Sequence, residues 1–229
     1  VRVLAIGDIH GCSLALDTLL EAVDLRPDDR LVTLGDYVDR GPDSRGVIDR
    51  LIALSDAGLL IPLRGNHEQM MLRARSSTDL AALWLRAGGH QTLTSYAPSD
   101  RDGTFDDVPG AHWDFFEHTC AIFHETDTHF FVHAGAAPDE PLARQRPAVL
   151  LWEPFHNALP HCSGKIMVCG HTAQRDGRPM NIGHAICIDT WACGGAWLTC
   201  LDVTSGRLWQ ASQRGKVQQG WLAPPRRPR

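Results

Sequence analysis

Five times along this chain an apolar, strand-like run stops at an Asp, Asn or His set beside a glycine. The five segments are Gly7-Asp8-Ile9-His10-Gly11, Gly35-Asp36-Tyr37-Val38-Asp39-Arg40-Gly41, Arg64-Gly65-Asn66-His67-Glu68, His133-Ala134-Gly135 and Gly170-His171-Thr172. In open α/β sheets, ligands bind in the crevice beyond the carboxyl ends of the strands. Five such ends gathered at one rim would bring about six nitrogen and oxygen ligands together. Glycine lets the backbone turn sharply there and leaves room for ions.

The runs between these segments set the fold class. Residues 3–7, 30–35 and 59–64 read as strands. Between them, Ser13 is placed to cap a helix with Leu16, Leu19, Leu20 and Val23 on one face, and Ser44 to cap one with Val47, Leu51 and Leu54, stopped by Gly58. Strands alternating with helices imply βαβ units and a largely parallel sheet. Residues 68–118 read as mainly helical, broken at Gly88-Gly89 and looped over 98–110. Residues 120–124 and 129–133 read as a hairpin, and 165–170, 185–189, 196–203 and 207–212 as further strands. A β-sandwich flanked by helices follows. One domain is expected over residues 1–222, with a disordered Pro/Arg-rich tail over 223–229.

Composition narrows the chemistry. Twenty-two Lys and Arg stand against 27 Asp and Glu, for a net charge of −5, a poor balance for a general nucleic-acid binder. No run of about 18 apolar residues occurs, so no transmembrane helix is expected. The segment VRVLAIGDIHG has no signal-peptide anatomy. The seven cysteines form no CxxC and read as reduced thiols of a cytoplasmic protein. Cys12 and Cys169 only flank the segments, so a thiolate zinc site is not expected. Carboxylates, imidazoles and one carboxamide suit Mn, Fe or Zn. The GxxxxGK[ST] phosphate loop is absent from the sequence. Of twelve histidines the segments use four; His112, His118, His124, His129, His156, His161 and His184 read as surface or core residues.

In this order GDIHG, GDYVDRG, RGNHE, HAG and GHT resemble the metallophosphoesterase superfamily. Within it they resemble the phosphoprotein phosphatase family of serine/threonine phosphatases, in its short bacterial and phage form. The resemblance runs from about residue 3 to residue 189, and GDYVDRG with RGNHE is its most specific part. It implies a calcineurin-like α/β fold, a central β-sandwich of mixed sheets flanked by α-helices. It implies two divalent metal ions, Mn²⁺ foremost with Fe, Zn or Mg as alternatives. Asp8 and His10 would hold one, Asp36 would bridge, and Asn66, His133 and His171 would hold the other. It also implies in-line attack on phosphorus by a hydroxide bridging the ions. His67 would protonate the leaving alkoxide, Asp39 would hold the ring's other nitrogen, and Arg40 and Arg64 would take phosphate oxygens. The partner implied is a phosphoprotein or small phosphoester, with no nucleic acid and no membrane.

Two readings compete. Symmetrical dinucleoside tetraphosphate hydrolases carry similar motifs, typically with Ala where this chain has Asp39 and Asp where it has Glu68. A non-catalytic metal-binding scaffold is the reading from another class. One departure stands out. The family usually offers a further phosphate-binding arginine after the HAG segment, often just beyond a Trp. Here that stretch reads Leu151-Trp152-Glu153-Pro154-Phe155-His156. Arg144, Arg146 and Arg175 are the substitutes the sequence offers. Trp191 is placed either to line the cleft or to pack.

Overall fold

Eleven strands and seven α-helices account for the regular structure in a computed structural model that describes residues 1–225. The strands are β1 (Val3–Ile6), β2 (Arg30–Thr33), β3 (Leu60–Pro62), β4 (Phe123–Glu125), β5 (His129–Val132) and β6 (Ile166–Cys169), followed by β7 (Met180–Asn181), β8 (Ala185–Cys187), β9 (Leu198–Asp202), β10 (Arg207–Ala211) and β11 (Val217–Trp221). The helices are α1 (Ser13–Val23), α2 (Ser44–Asp56), α3 (Asn66–Ala74), α4 (Thr78–Trp84), α5 (His90–Tyr96), α6 (Gly110–Asp114) and α7 (Pro147–Trp152). They form two mixed sheets, ordered β11-β10-β9-β1-β2-β3 and β4-β5-β6-β8-β7. Strands β1, β2 and β3 are parallel in the first, and β5, β6 and β8 in the second.

The period of two along each strand decides which core a side chain joins. Ala5 and Val32 pack with Phe131, Val168 and Ile186 in the cluster between the sheets. Their neighbours Leu4, Ile6 and Leu31 turn the other way, onto Leu16 and Leu19 of α1 and Val47 and Leu51 of α2. Phe130, Val132, Met167 and Cys169 face outward from the second sheet onto Leu142, Leu150 and Phe155. A slip of one residue would exchange these faces, so the register is strongly fixed. It carries each parallel strand to the same end of the sandwich before the chain turns.

Several local expectations need correction. Helix α2 is capped by Asp43, whose carboxylate accepts the Gly46 N–H at 2.8 Å; Ser44 is already helical. Helix α1 follows Cys12 with no side-chain cap, and Ser13 is its first residue. The helical run does break at Gly88-Gly89 as expected: Gly88 leaves helical geometry (φ 122°, ψ 3°), and the chain kinks there between α4 and α5. Strand β11 was not foreseen. Its residues, VQQGW, are largely exposed and show no apolar alternation; it is held by its ladder to β10. The expected tail falls mostly on residues 226–229, which lie outside the described residues; Ala223 gives its carbonyl to Asn181 Nδ2 at 3.0 Å. Among the described residues no helix is long and apolar enough to cross a membrane.

One ion pair ties the entry of β1 to that of β2. Arg2 donates to Asp29 from Nε at 2.9 Å and from Nη2 at 2.5 Å, and also to the carbonyls of Val23 and Asp24 at the end of α1. The Arg2 guanidinium, opposed only in part by burial, lowers the Asp29 carboxyl below its usual value. A lowered folded-state pKa means the contribution is whole above the unfolded value of about 3.9 and is lost as pH falls through the folded value. Asp29→Asn is therefore expected to cost about 1–3 kcal/mol near neutral pH. The gap from wild type should close as the medium is acidified below pH ~4. Urea denaturation at pH 6 and pH 3 checks this; a gap that stays constant with pH would refute it.

Candidate active site

Five strand ends converge on one buried cluster. After β1 come Asp8 and His10; after β2, Asp36, Asp39 and Arg40; after β3, Asn66 and His67 in the first turn of α3. His133 follows β5 and His171 follows β6. Among the described residues, two groups of side chains are close enough to hold a metal ion: His10, Asp36 and His67, and Asp36, His133 and His171. Asp36 belongs to both. Its Oδ2 lies 3.4 Å from His10 Nε2, and its Oδ1 lies 3.4 Å from His133 Nε2. The backbone is distorted here. His10, Asp36, Asp39, Arg40 and His171 all have positive φ, from 46° to 73°. Such conformations cost non-glycine residues on the order of 1–3 kcal/mol each and gather where function maintains them.

The donor set fits divalent cations. His10 Nδ1 donates to the Val38 carbonyl and His133 Nδ1 to the Leu34 carbonyl, both at 2.8 Å, which leaves each Nε2 with a bare lone pair. The Asn66 amide oxygen faces His133 Nε2 at 2.8 Å and His171 Nδ1 at 3.2 Å. An amide ringed by acceptors is stabilised either by turning its NH2 onto them or by a cation that takes all the lone pairs at once. Burial, the largest cause, pushes the His10 imidazole down to about 3 and that of His171 down to about 4. Neutral rings are the form that binds metal. Asp8 is raised well above its usual range by burial and by the nearby Asp189 and Asp36. A buried carboxylate group of this kind is what a cation offsets.

Asp8 is buried beside this cluster. Both its oxygens accept the His171 N–H, at 3.1 and 3.0 Å, and it falls outside the two groups. His67 lies beside His10 and Asp36, the His10 and His67 rings meeting edge to face at 4.8 Å. His67 Nδ1 lies 2.6 Å from Asp39 Oδ2, and both residues are buried. Burial works against a charge on His67, but Asp36 and Asp39 outweigh it and raise the imidazole above its ordinary value. Arg40 is exposed as a residue, yet its Nη1 lies 2.8 Å from His10 Nε2 and its Nη2 2.8 Å from His67 Nε2.

Arg64 is placed differently from Arg40. Its Nη2 donates to the carbonyls of Phe116 at 2.5 Å and Glu117 at 3.0 Å, and its Nε is buried without a partner. These bonds tie Arg64 to the segment before β4. Of the three substitute arginines, Arg175 stacks on Trp191 at 5.3 Å, and the Trp191 N–H donates to Asp189 Oδ1 at 3.0 Å. Trp152, 45% exposed, sets its ring edge to face with His171 at 6.2 Å.

Four structural contributors were missed in the sequence. Glu68 accepts the N–H groups of Asp36 and Gly65 on one oxygen and of Tyr37 and Val38 on the other, which fixes the bend that carries Asp36. Its position in the RGNHE segment was the available signal. Asp189 is buried beyond β8, and burial raises it to about 6. Trp84 and Thr92, in α4 and α5, hydrogen-bond Asp39. No local pattern marks either of them.

The family model described as calcineurin-like phosphoesterase matches residues 1–175. A relative from Salmonella typhimurium named serine/threonine-protein phosphatase 1 is 45% identical over 89 residues, which cover 38% of this chain and 39% of the relative. A relative from Acidovorax sp. named symmetrical bis(5'-nucleosyl)-tetraphosphatase is 45% identical over 74 residues, covering 32% of this chain and 26% of the relative. The matched stretches thus span well under half the length of either relative. Among solved structures, a protein serine/threonine phosphatase from Saccharomyces cerevisiae superposes with a TM-score of 0.60 at 16% identity, covering 99% of this chain and 81% of the other. At that identity the likeness concerns the fold alone.

Proposed function

The chain belongs to the calcineurin-like phosphoesterase family, and on that premise we propose a metal-dependent phosphomonoesterase of the serine/threonine protein phosphatase type. The observation that carries the reading is the Asp39–His67 pair at 2.6 Å, set beside two ligand groups that share Asp36. In this reading Asp8 and His10 serve one ion and Asn66, His133 and His171 the other, with Asp36 common to both. Divalent ions held there supply charge to the phosphoryl oxygens and acidify a water.

The chain's own residues do the rest. The exposed approach to Arg40 lets its fork turn from the two imidazoles onto phosphate oxygens. That movement uncovers His67 Nε2. The ring, held by Asp39 through Nδ1, then gives its Nε2 proton to the leaving oxygen as the P–O bond breaks. Asp39 orients the ring and offsets its charge.

The second reading, hydrolysis of a symmetrical dinucleoside tetraphosphate, is favoured by the name of the Acidovorax relative. Asp39 argues for the monoesterase, because the nucleoside diphosphate expelled from a dinucleoside tetraphosphate is a good leaving group and needs far less proton donation than an alkoxide. A panel of p-nitrophenyl phosphate, phosphothreonine and phosphotyrosine peptides and diadenosine tetraphosphate, run after metal stripping and Mn²⁺ restoration, tests the proposal. Metal-dependent turnover highest on a phosphopeptide is the expected result. Preference for the dinucleotide would overturn it in favour of the second reading.

A further inference from the structure

Asp39 carries a full set of donors beyond His67. Trp84 Nε1 lies 3.1 Å from Oδ1 and 2.9 Å from Oδ2, bridging both oxygens. The Thr92 hydroxyl donates to Oδ1 at 2.7 Å, and its oxygen accepts the Asp39 N–H at 2.8 Å. Ser44 Oγ completes the set, 3.1 Å from Thr92 Oγ1 and 3.2 Å from the Asp39 nitrogen. Trp84, Thr92, Ser44 and Asp39 are all buried. Trp84 and Thr92 are eight positions apart, and the kinked turn Leu85–Gly89 lies between them. In that turn Gly88 has φ 122°, and its carbonyl accepts the Arg40 N–H at 3.2 Å. A Cβ on Gly88 would stand 2.8 Å from the Arg40 nitrogen, and one on Gly89 would stand 2.4 Å from the Trp84 ring. Only glycine at both positions lets the kinked segment lie this close to Asp39 and Arg40.

We propose that the kinked segment from α4 through α5 is the positioning element of this site: Trp84 before the kink and Thr92 after it fix the Asp39 carboxylate and, through it, the His67 ring. The geometry is specific. Each carboxylate oxygen has two well-placed acceptor directions. Thr92 donates to Oδ1, the single Trp84 N–H is shared between Oδ1 and Oδ2, and Oδ2 faces His67 Nδ1. Loss of either donor frees the carboxylate to rotate. The His67 ring then loses its fixed aim while His10, Asp36, His133 and His171, which make no contact with Trp84 or Thr92, keep theirs. The kinetic side of this proposal rests on the reading of His67 as proton donor; the placement of the ring does not.

Thr92→Val, nearly isosteric, and Trp84→Phe, which keeps the packing against Phe105, are compared with Thr92→Ser, which keeps the hydroxyl. The first readout is the hydrogen-bonded Nδ1 proton of His67 in the metal-free, ¹⁵N-labelled protein. It should be displaced or broadened in Thr92→Val and Trp84→Phe and restored in Thr92→Ser. An unmoved resonance in both overturns the proposal. The second readout is kcat on a phosphothreonine peptide against p-nitrophenyl phosphate, whose leaving group needs little protonation. We expect kcat on the peptide to fall roughly tenfold to a hundredfold in Thr92→Val. KM and the activity on p-nitrophenyl phosphate should barely change, and Thr92→Ser should recover most of the loss. Equal losses on both substrates mean a merely structural role and also overturn it. If wild type turns over neither phosphomonoester, the proposed function fails, and the proton resonance alone decides whether Trp84 and Thr92 hold the pair.

Discussion

Asp36→Asn is expected to empty both halves of the site at once. The wild-type carboxylate is buried, and its Oδ2 and Oδ1 reach imidazoles of the two different groups. Burial favours its neutral form, but His133, His67 and His10 outweigh burial and hold it ionised. Asparagine has the same shape and one oxygen that can still accept the His67 N–H, which Asp36 Oδ1 accepts at 3.1 Å. The fold should therefore survive. What is lost is the charge and the second acceptor, and an NH2 group now points at a bare imidazole nitrogen. Disturbing only an outer partner of a metal ligand typically costs 10–100-fold in metal affinity. Losing the one residue common to two groups should cost more than about 100-fold. Metal content after Mn²⁺ loading and desalting, together with turnover on p-nitrophenyl phosphate, measures it. Two ions retained with near wild-type turnover would remove Asp36 from the shared position and the two-ion reading with it.

The positions of these groups were largely legible in the sequence, because strand-end glycine motifs are local. A β-strand, a glycine and a ligand lie within a few residues of one another, and the period of two fixes which way the strand enters the turn. His10, Asp36, Asn66, His133 and His171 come together from that information. The residues that sequence reading missed act across long separations. Thr92 meets Asp39 over 53 positions and Trp84 over 45, and nothing in either neighbourhood announces an acidic partner. Gly88-Gly89 was legible as a break, and the helix kinks there, but its second use was not: glycine both ends helices and permits close approach, and only the contact with Arg40 shows the latter. Arg64 shows the converse failure. Its motif points to phosphate, yet it lies within reach of the carbonyls of Phe116 and Glu117, 52 and 53 positions away, and bonds to those. β11 escaped because an exposed edge strand held by backbone bonds has no apolar period to read.

His67→Asn is expected to separate chemistry from metal binding. The His67 ring is buried with one nitrogen on Asp39 and the other beside Arg40. Asparagine at this site keeps a polar group of similar reach towards Asp39 but carries no proton that can be given up near neutral pH. General acid help of this kind is worth roughly 10²–10⁴-fold, so kcat on a phosphothreonine peptide should fall within that range. The Asp36, His133 and His171 group does not include His67, and Asp36 keeps its contacts with His10 and His133. The metal content should therefore stay close to wild type. Loss of metal in parallel with turnover would make His67 a ligand, the role its grouping with His10 and Asp36 permits, and the proton donor would have to be sought elsewhere. Unchanged turnover with full metal would remove it from the mechanism. Metal kept, turnover on the alkyl ester lost and turnover on p-nitrophenyl phosphate largely spared is the one combination that requires a proton at Nε2. Of the neighbouring groups, only a ring held as Asp39 holds this one can supply it.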